Sequence, residues 1–164
     1  MKPIVLATDG SPSASEATLQ AVELARTLEA PLVAVAVEHI AVPSYGYYGY
    51  ADLVTEMRSI EKAHVDETLA QTRAVATEAG VPCEVVHASG PVADAICKAA
   101  NEHDAQMIVI GAHGWGTVGR IWHGSVSIAV LHEAHCPVLV VPGGPELLLE
   151  APVEPSEVAV RLPT

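Results

Sequence analysis

The residues of this chain best suited to chemistry are glycines and a serine between positions 111 and 125. Gly111 and Gly114 are followed, after nine residues, by Gly124 and Ser125. The run before them, Met107 to Ile110, has the length and composition of a strand buried on both faces, and a helical pattern follows Ser125. Glycines let a ligand approach the backbone closely, and the first amides of a helix attract anions. The segment therefore predicts a phosphate-binding site between a strand and a helix.

Two better-known nucleotide motifs do not fit the sequence around these glycines. Residues 114 to 119 spell G-x-G-x-x-G, but a dinucleotide fingerprint opens a helix directly and is followed by an acidic residue at the end of the next strand. Here Gly124 intervenes, and the next strand ends in Val141-Pro142. A Walker-type loop needs Gly-Lys-Ser or Gly-Lys-Thr, which the sequence lacks.

A second strand exit, meaning the polar residues directly after a predicted strand, is Thr8-Asp9-Gly10-Ser11, which follows the apolar run Ile4 to Ala7. The first is the glycine loop after Ile110. In an open α/β sheet, ligands lie outside the carboxyl ends of the strands, where the strand order reverses. If the first and fourth strands are neighbours at that point, Asp9 faces the glycine loop across one crevice. Two roles for Asp9 stay open, namely contact with a ligand and a structural role in the turn, which aspartate also favours.

The elements that would position these two exits alternate regularly along the chain. Ser13 and Glu16 form a predicted capping box for the first helix, the second runs from 51 to 79 and ends at Gly80, and Pro91 is the predicted first residue of the third. Five apolar runs of strand length separate the helices: Ile4 to Ala7, Leu32 to Val37, Cys83 to His87, Met107 to Ile110 and Pro137 to Val141. This alternation predicts an α/β fold, an open doubly wound five-stranded parallel sheet with helices on both faces. With the first and fourth strands as neighbours, the expected strand order is 3-2-1-4-5.

Composition and charge narrow the class of protein. The 164 residues suffice for one domain, predicted over residues 1–142, and residues 143–164 are predicted to form an acidic, proline-rich, mobile tail. A net charge of −12 disfavours nucleic acid and anionic membrane surfaces as partners. The cysteines show no C-x-x-C spacing and are predicted to be reduced thiols. No signal-like apolar stretch follows Met1, so a cytoplasmic location is expected.

Histidines and one arginine could add further chemistry. The run His132-x-x-His135-Cys136 has a spacing that metal sites use, but a solvated helix end is the favoured interpretation because no carboxylate or cysteine pair completes the set. His113 and Arg120 lie within the glycine loop. For Arg120, contact with outer phosphates and exposure to solvent both stay open.

Three further segments of the sequence are distinctive: the opening I-V-L-A-T-D-G-S, the loop G-A-H-G-W-G-T-V-G-R-I-W-H-G-S-V-S and the closing C-P-V-L-V-V-P. Together they resemble the universal stress protein family, in its ATP-binding branch. The family pattern G-x2-G-x9-G-(S/T) matches at Gly111, Gly114, Gly124 and Ser125. The resemblance implies small cytoplasmic dimers that bind ATP or a related adenine nucleotide in stress adaptation, with no settled catalytic reaction.

The resemblance also implies a set of nucleotide contacts in this chain. Asp9 would lie near the adenine and ribose with Ala7 and Thr8 beside it, and Val37 or its neighbour Ala36 would meet the adenine edge. The remaining contacts would be Gly111, His113 and Gly114 at the ribose and first phosphates, and Gly124, Ser125 and Val126 along the phosphate chain.

The glycine loop predicts binding of a nucleotide and not its cleavage. Phosphoanhydride hydrolysis needs an oriented water and positive charge around the transferring group, whereas residues 111 to 132 contain no Asp or Glu to hold a water or a metal. Any Mg²⁺ would be carried by the phosphates. The predicted function is an adenine-nucleotide-binding regulatory protein with ATP, or else ADP or AMP, as ligand and an unidentified protein as partner. Two alternatives stay open: a slow ATP hydrolase or adenylating enzyme of the wider nucleotide-binding α/β group, and a nucleotide-free interaction module.

The last apolar run, Val138 to Val141, bears on assembly. If it forms an edge strand, its free backbone groups need protection, which the same strand of a second copy can supply across a two-fold axis. The sequence therefore predicts a homodimer through the last strand.

Overall fold

The computed structural model describes residues 1–38, 51–112 and 124–143, apart from the side chains of residues 51–53. The strands are β1 (Ile4–Ala7), β2 (Leu32–Glu38), β3 (Cys83–Ser89), β4 (Met107–Gly111) and β5 (Val138–Val141). The helices are α1 (Pro12–Thr27), α2 (Ala51–Glu78), α3 (Val92–Glu102) and α4 (Ser125–Glu133). Each predicted strand is present, with ends that differ from the prediction by two residues at most. No helix within these ranges is long and apolar enough to cross a membrane.

The strands form one parallel sheet in the order β3-β2-β1-β4-β5, as the sequence predicts. The chain order reverses between β1 and β4, which pair directly from Ile4 with Met107 to Ala7 with Ile110. Both strands therefore end at the same level on the carboxyl edge of the sheet. That is the position at which open α/β sheets bind ligands.

The helices cover the sheet in two pairs, one on each face. Residues of α1 and α2 pack against Ile4, Leu6 and Val109, whereas α3 and α4 pack against Val5 and Ile108. Successive residues of a strand point to opposite faces, so a central strand covered on both sides must be apolar throughout. The doubly wound α/β fold expected from the sequence is thus confirmed.

The start of α1 differs from the prediction. Its N-cap is Ser11, whose Oγ accepts a hydrogen bond from the amide of Ala14 at 3.2 Å, and Pro12 is the first helical residue. Ser13, the predicted cap, is instead a buried residue of the first turn. Proline lacks an amide hydrogen and has a fixed φ suited to the first helical position, so Ser-Pro is the stronger start signal. In α3, by contrast, Pro91 is the N-cap and not the first helical residue.

The end of α2 follows the prediction and returns the chain to the sheet. Gly80 has a φ of +75°, and its amide donates to the Thr77 carbonyl at 3.0 Å. The amide of Val81 donates to the Ala76 carbonyl at 2.9 Å. This pair of bonds is the Schellman arrangement, in which a left-handed glycine closes a helix.

The cysteines form no disulfide. Cys97 is buried, and Cys83 and Cys136 are half-buried. Burial raises the pKa of all three thiols above their usual value. They are therefore protonated and weakly nucleophilic at neutral pH.

Candidate functional site

A cavity of about 870 Å³ opens over the carboxyl ends of β1, β2 and β4. Its volume lies in the range of small-molecule sites. Eight of the residues predicted from the sequence line it: Ala7, Thr8, Asp9, Val37, Gly111, Gly124, Ser125 and Val126. Ala36, the alternative to Val37, lines it as well. The predicted site residues His113 and Gly114, together with Arg120, lie outside the described residues.

Asp9 lies in a turn that its own side chain stabilises. Its Oδ1 accepts a hydrogen bond from the amide of Ser11 at 3.0 Å. Gly10 between them has a φ of +75°, a conformation that glycine adopts without strain. Asp9 therefore has the structural role that the sequence left open. Its side chain is also exposed and lines the cavity, and a carboxylate accepts several hydrogen bonds, so a ligand contact is compatible with that role.

Gly111 is required for packing between β4 and α1. A Cβ at this position would lie 2.6 Å from Ser13 Oγ and 2.9 Å from both the carbonyl carbon and the carbonyl oxygen of Ser13. These separations are far shorter than a van der Waals contact. From the sequence, Gly111 was expected to let a ligand approach the backbone. In the structure, the space where its Cβ would lie is occupied by the first turn of α1.

The start of α4 presents backbone amides toward the cavity. Gly124 is the N-cap, and its amide donates to the Ala112 carbonyl at 2.7 Å. Because glycine has no side chain, the cap residue itself cannot accept from the first amides of the helix. The hydroxyl of Ser127 does not cap them either, since it donates to the Gly124 carbonyl at 2.9 Å. Ser125 and Val126 thus begin a helix whose amides and dipole favour an anion in the cavity.

One wall of the cavity comes from α2 and was not predicted. The residues concerned are Ile60, Glu61, His64, Val65 and Thr68. His64 Nε2 lies 3.2 Å from the Asp9 carbonyl oxygen, so its N–H donates to that oxygen and ties α2 to the turn after β1. The length of α2 is the sequence signal that points to this wall. A helix of 28 residues is about 42 Å long, roughly twice the length of β2, so its first turns extend past the carboxyl edge of the sheet.

The floor of the cavity is apolar. Val35 and Ile110 contribute from the sheet, and Val92 and Ile96 contribute from α3 on the opposite face to α2. The cavity therefore combines an apolar floor, an anion-attracting helix start and carboxylates at Asp9 and Glu61. This combination suits a molecule with a flat apolar part, hydrogen-bond donors and an anionic tail.

A metal site is not formed by the part of the chain that the structure describes. No three of its His, Cys, Asp and Glu side chains lie close enough together to hold an ion. The run His132-x-x-His135-Cys136 spans the end of α4 and the connection to β5, and its side chains form no such group.

Comparison with known proteins identifies similar chains. The profile of the universal stress protein family matches residues 1–142. A universal stress protein of Methanocaldococcus jannaschii is 33% identical over 144 residues, which cover 85% of this chain and 81% of that protein. The structure of UspA from Lactobacillus plantarum is similar with a TM-score of 0.77 at 25% identity, over 85% of this chain and 97% of that one.

Two similar solved structures contain an adenine nucleotide. The universal stress protein from Archaeoglobus fulgidus in complex with dAMP matches with a TM-score of 0.61 at 27% identity, over 86% of this chain and 98% of that one. A universal stress protein in complex with cAMP matches with a TM-score of 0.65 at 25% identity, over 87% of this chain and 98% of that one.

Proposed function

We propose that this chain, which belongs to the universal stress protein family, is a cytoplasmic adenine-nucleotide-binding regulatory protein that acts in stress adaptation. The observation that carries the proposal is the cavity, where Asp9, an apolar floor and the start of α4 come together. The dAMP and cAMP complexes of similar proteins support adenine nucleotides as the ligand class. ATP is the proposed ligand, with ADP and AMP as alternatives and any Mg²⁺ carried by the phosphates.

The charges around the cavity favour one orientation of the nucleotide. Phosphates are attracted to the start of α4, at Gly124 and Ser125. Asp9 and Glu61 line the cavity from the turn after β1 and from α2, where they repel a phosphate. The base therefore lies toward Val37 at the end of β2, and the ribose lies near Asp9.

The proposed action is to hold and release the nucleotide. Among the described lining residues there is no lysine or arginine to offset charge that builds on a transferring phosphoryl group. The occupied and empty states would then present different surfaces to a protein partner. A slow hydrolase remains the competing proposal, and repeated turnover in a phosphate-release assay would favour it.

Titration calorimetry on the wild type and on Gly124→Val tests the proposal. Gly124 has φ −65° and ψ 148°, an extended conformation that valine adopts without backbone strain. The branched side chain would stand at the first amides of α4 and weaken binding of ATP, ADP and AMP by on the order of ten-fold or more.

Ala134→Val is a matched control for this substitution. Ala134 caps the other end of α4 with φ −66° and ψ 140°, nearly the same backbone conformation, and it does not line the cavity. This variant should keep wild-type affinity. Unchanged affinity in folded Gly124→Val protein would contradict the proposed site.

We further propose a homodimer through β5, which is an edge strand. Leu139 of β5 is 40% exposed, and Ile128 and Leu131 of α4 are 42% and 48% exposed. Large apolar side chains on an edge strand and its neighbouring helix favour burial against a second copy. Light scattering would measure the mass.

A further inference from the structure

Glu61 occupies a core-facing position of α2. The buried residues of this helix follow the helical period and form a stripe toward the sheet: Val65, Thr68, Leu69, Thr72 and Ala76. Glu61 lies four residues before Val65 and continues this stripe beyond the end of the sheet. There its side chain is half-buried and lines the cavity.

The carboxylate of Glu61 has no partner within the described ranges. No hydrogen bond or ion pair joins it to another described residue. A half-buried carboxylate that no described residue contacts keeps acceptor sites that water or a donor on a ligand can fill. Because an ionised carboxylate only accepts hydrogen bonds, the ligand group next to it must be a donor.

The base end of the proposed nucleotide carries one such donor. Ile60 and Val65 line the cavity from the same helix as Glu61, and Val65 packs with Ala36 of β2, so Glu61 lies on the β2 side of the cavity, where the base is proposed to lie. An adenine attached to its sugar has ring nitrogens that accept, and its 6-amino group is the donor. A 6-oxo purine presents an acceptor oxygen at that position, which a carboxylate repels.

We infer that Glu61 accepts a hydrogen bond from the 6-amino group of the base and thereby selects adenine over 6-oxo purines. The inference rests on the proposed function, which it refines by naming a specificity residue on α2. Glu61 holds the base, whereas the start of α4 holds the phosphates, so each can be removed without the other.

Titration calorimetry with AMP and IMP, which differ at this group, tests the inference. We expect the wild type to bind AMP more tightly than IMP by on the order of ten-fold. In Glu61→Gln this preference should fall toward one, because the amide oxygen accepts from the amino group and the amide NH₂ donates to the 6-oxo group. Glu67→Gln, an exposed position on the same helix that does not line the cavity, should keep the wild-type preference.

The outcomes separate this inference from the proposed function. If Glu61→Gln keeps the AMP-to-IMP preference while Gly124→Val loses binding, the inference is wrong and the proposed function stands. If Glu61→Gln instead changes the preference for AMP over dAMP, Glu61 contacts the sugar and the inference is also wrong. If the folded wild type binds none of these nucleotides, the proposed function fails and the inference fails with it.

Discussion

Replacement of Gly111 by alanine should destabilise the protein, because the added methyl group would overlap α1. The new Cβ would lie 2.6 Å from Ser13 Oγ and 2.9 Å from two backbone atoms of Ser13. The hydroxyl can rotate away, but the backbone atoms belong to the first turn of a helix that packs on β1 and β4. Overpacking of this kind costs about 1–3 kcal/mol. A loss of about 2 kcal/mol corresponds to a fall in Tm of roughly 4–8 °C for a domain of this size.

Denaturant unfolding followed by circular dichroism measures this loss, and Gly80 supplies the control. A Cβ at Gly80 meets nothing within 4 Å, but φ there is +75°. Substitution at Gly80 therefore costs only backbone strain, which asparagine tolerates better than alanine. At Gly111 the cost is steric, so the larger asparagine should be worse than alanine. The two positions are thus expected to rank the two substitutions in opposite order.

The same variant distinguishes packing from ligand contact at Gly111. If Gly111→Ala is as stable as the wild type, the close packing of β4 against α1 is refuted. If it is as stable but no longer binds a nucleotide, Gly111 serves the ligand, as the sequence alone suggested.

Three further predictions address the cap of α1, the pH dependence of stability and assembly. Ser11→Ala should lower the free energy of unfolding by about 1 kcal/mol through loss of the N-cap bond, and a denaturation midpoint equal to that of the wild type would contradict this role. The pKa of His103 is raised, first by its hydrogen bond to the Ala99 carbonyl and then by Glu84. The protonated side chain therefore stabilises the fold fully below the unfolded pKa of about 6.5, and this stabilisation is lost as pH rises through the folded pKa. His103→Gln should therefore destabilise more at about pH 5.5 than at about pH 8.5 in thermal melts, and a larger effect at the higher pH would reverse the assignment. Leu139→Lys should convert the proposed dimer to a monomer in light scattering, because Leu139 is exposed on the edge strand, and an unchanged dimer mass would rule out that strand as the interface.

The sheet could be predicted from the sequence because its strands are buried on both faces. Runs such as Ile4 to Ala7 and Met107 to Ile110 are uniformly apolar, and each is followed by glycine or by small polar residues. The strand order was expected with β1 and β4 as neighbours, and their pairing places the two polar strand ends side by side. Residues at those exits, such as Asp9 and Gly124, line the cavity because the topology brings the strand ends to one edge.

The α2 wall was not predicted, because its sequence signal is the length of the helix and the wall itself depends on packing between distant segments. Nothing near Glu61 or His64 in the sequence indicates that α2 crosses the cavity, since each looks like a residue on a charged helix face. The packing role of Gly111 could not be predicted for the same reason, because Ser13 is distant from it in sequence and close to it only in the folded structure. The cap of α1 was a local error, since Ser11 and Ser13 are both suited to the role and only Pro12 separates them.

The cavity is bounded by α2 on one face of the sheet and by α3 and α4 on the other. A molecule held there would touch both helical layers, so its binding energy would oppose unfolding of the whole domain and not of one loop. At a free concentration one hundred times the Kd, mass action adds about 2.7 kcal/mol. The free energy of unfolding inside a cell would then rise and fall with the free concentration of the small molecule. The amount of folded protein would therefore depend on how much of that molecule is present.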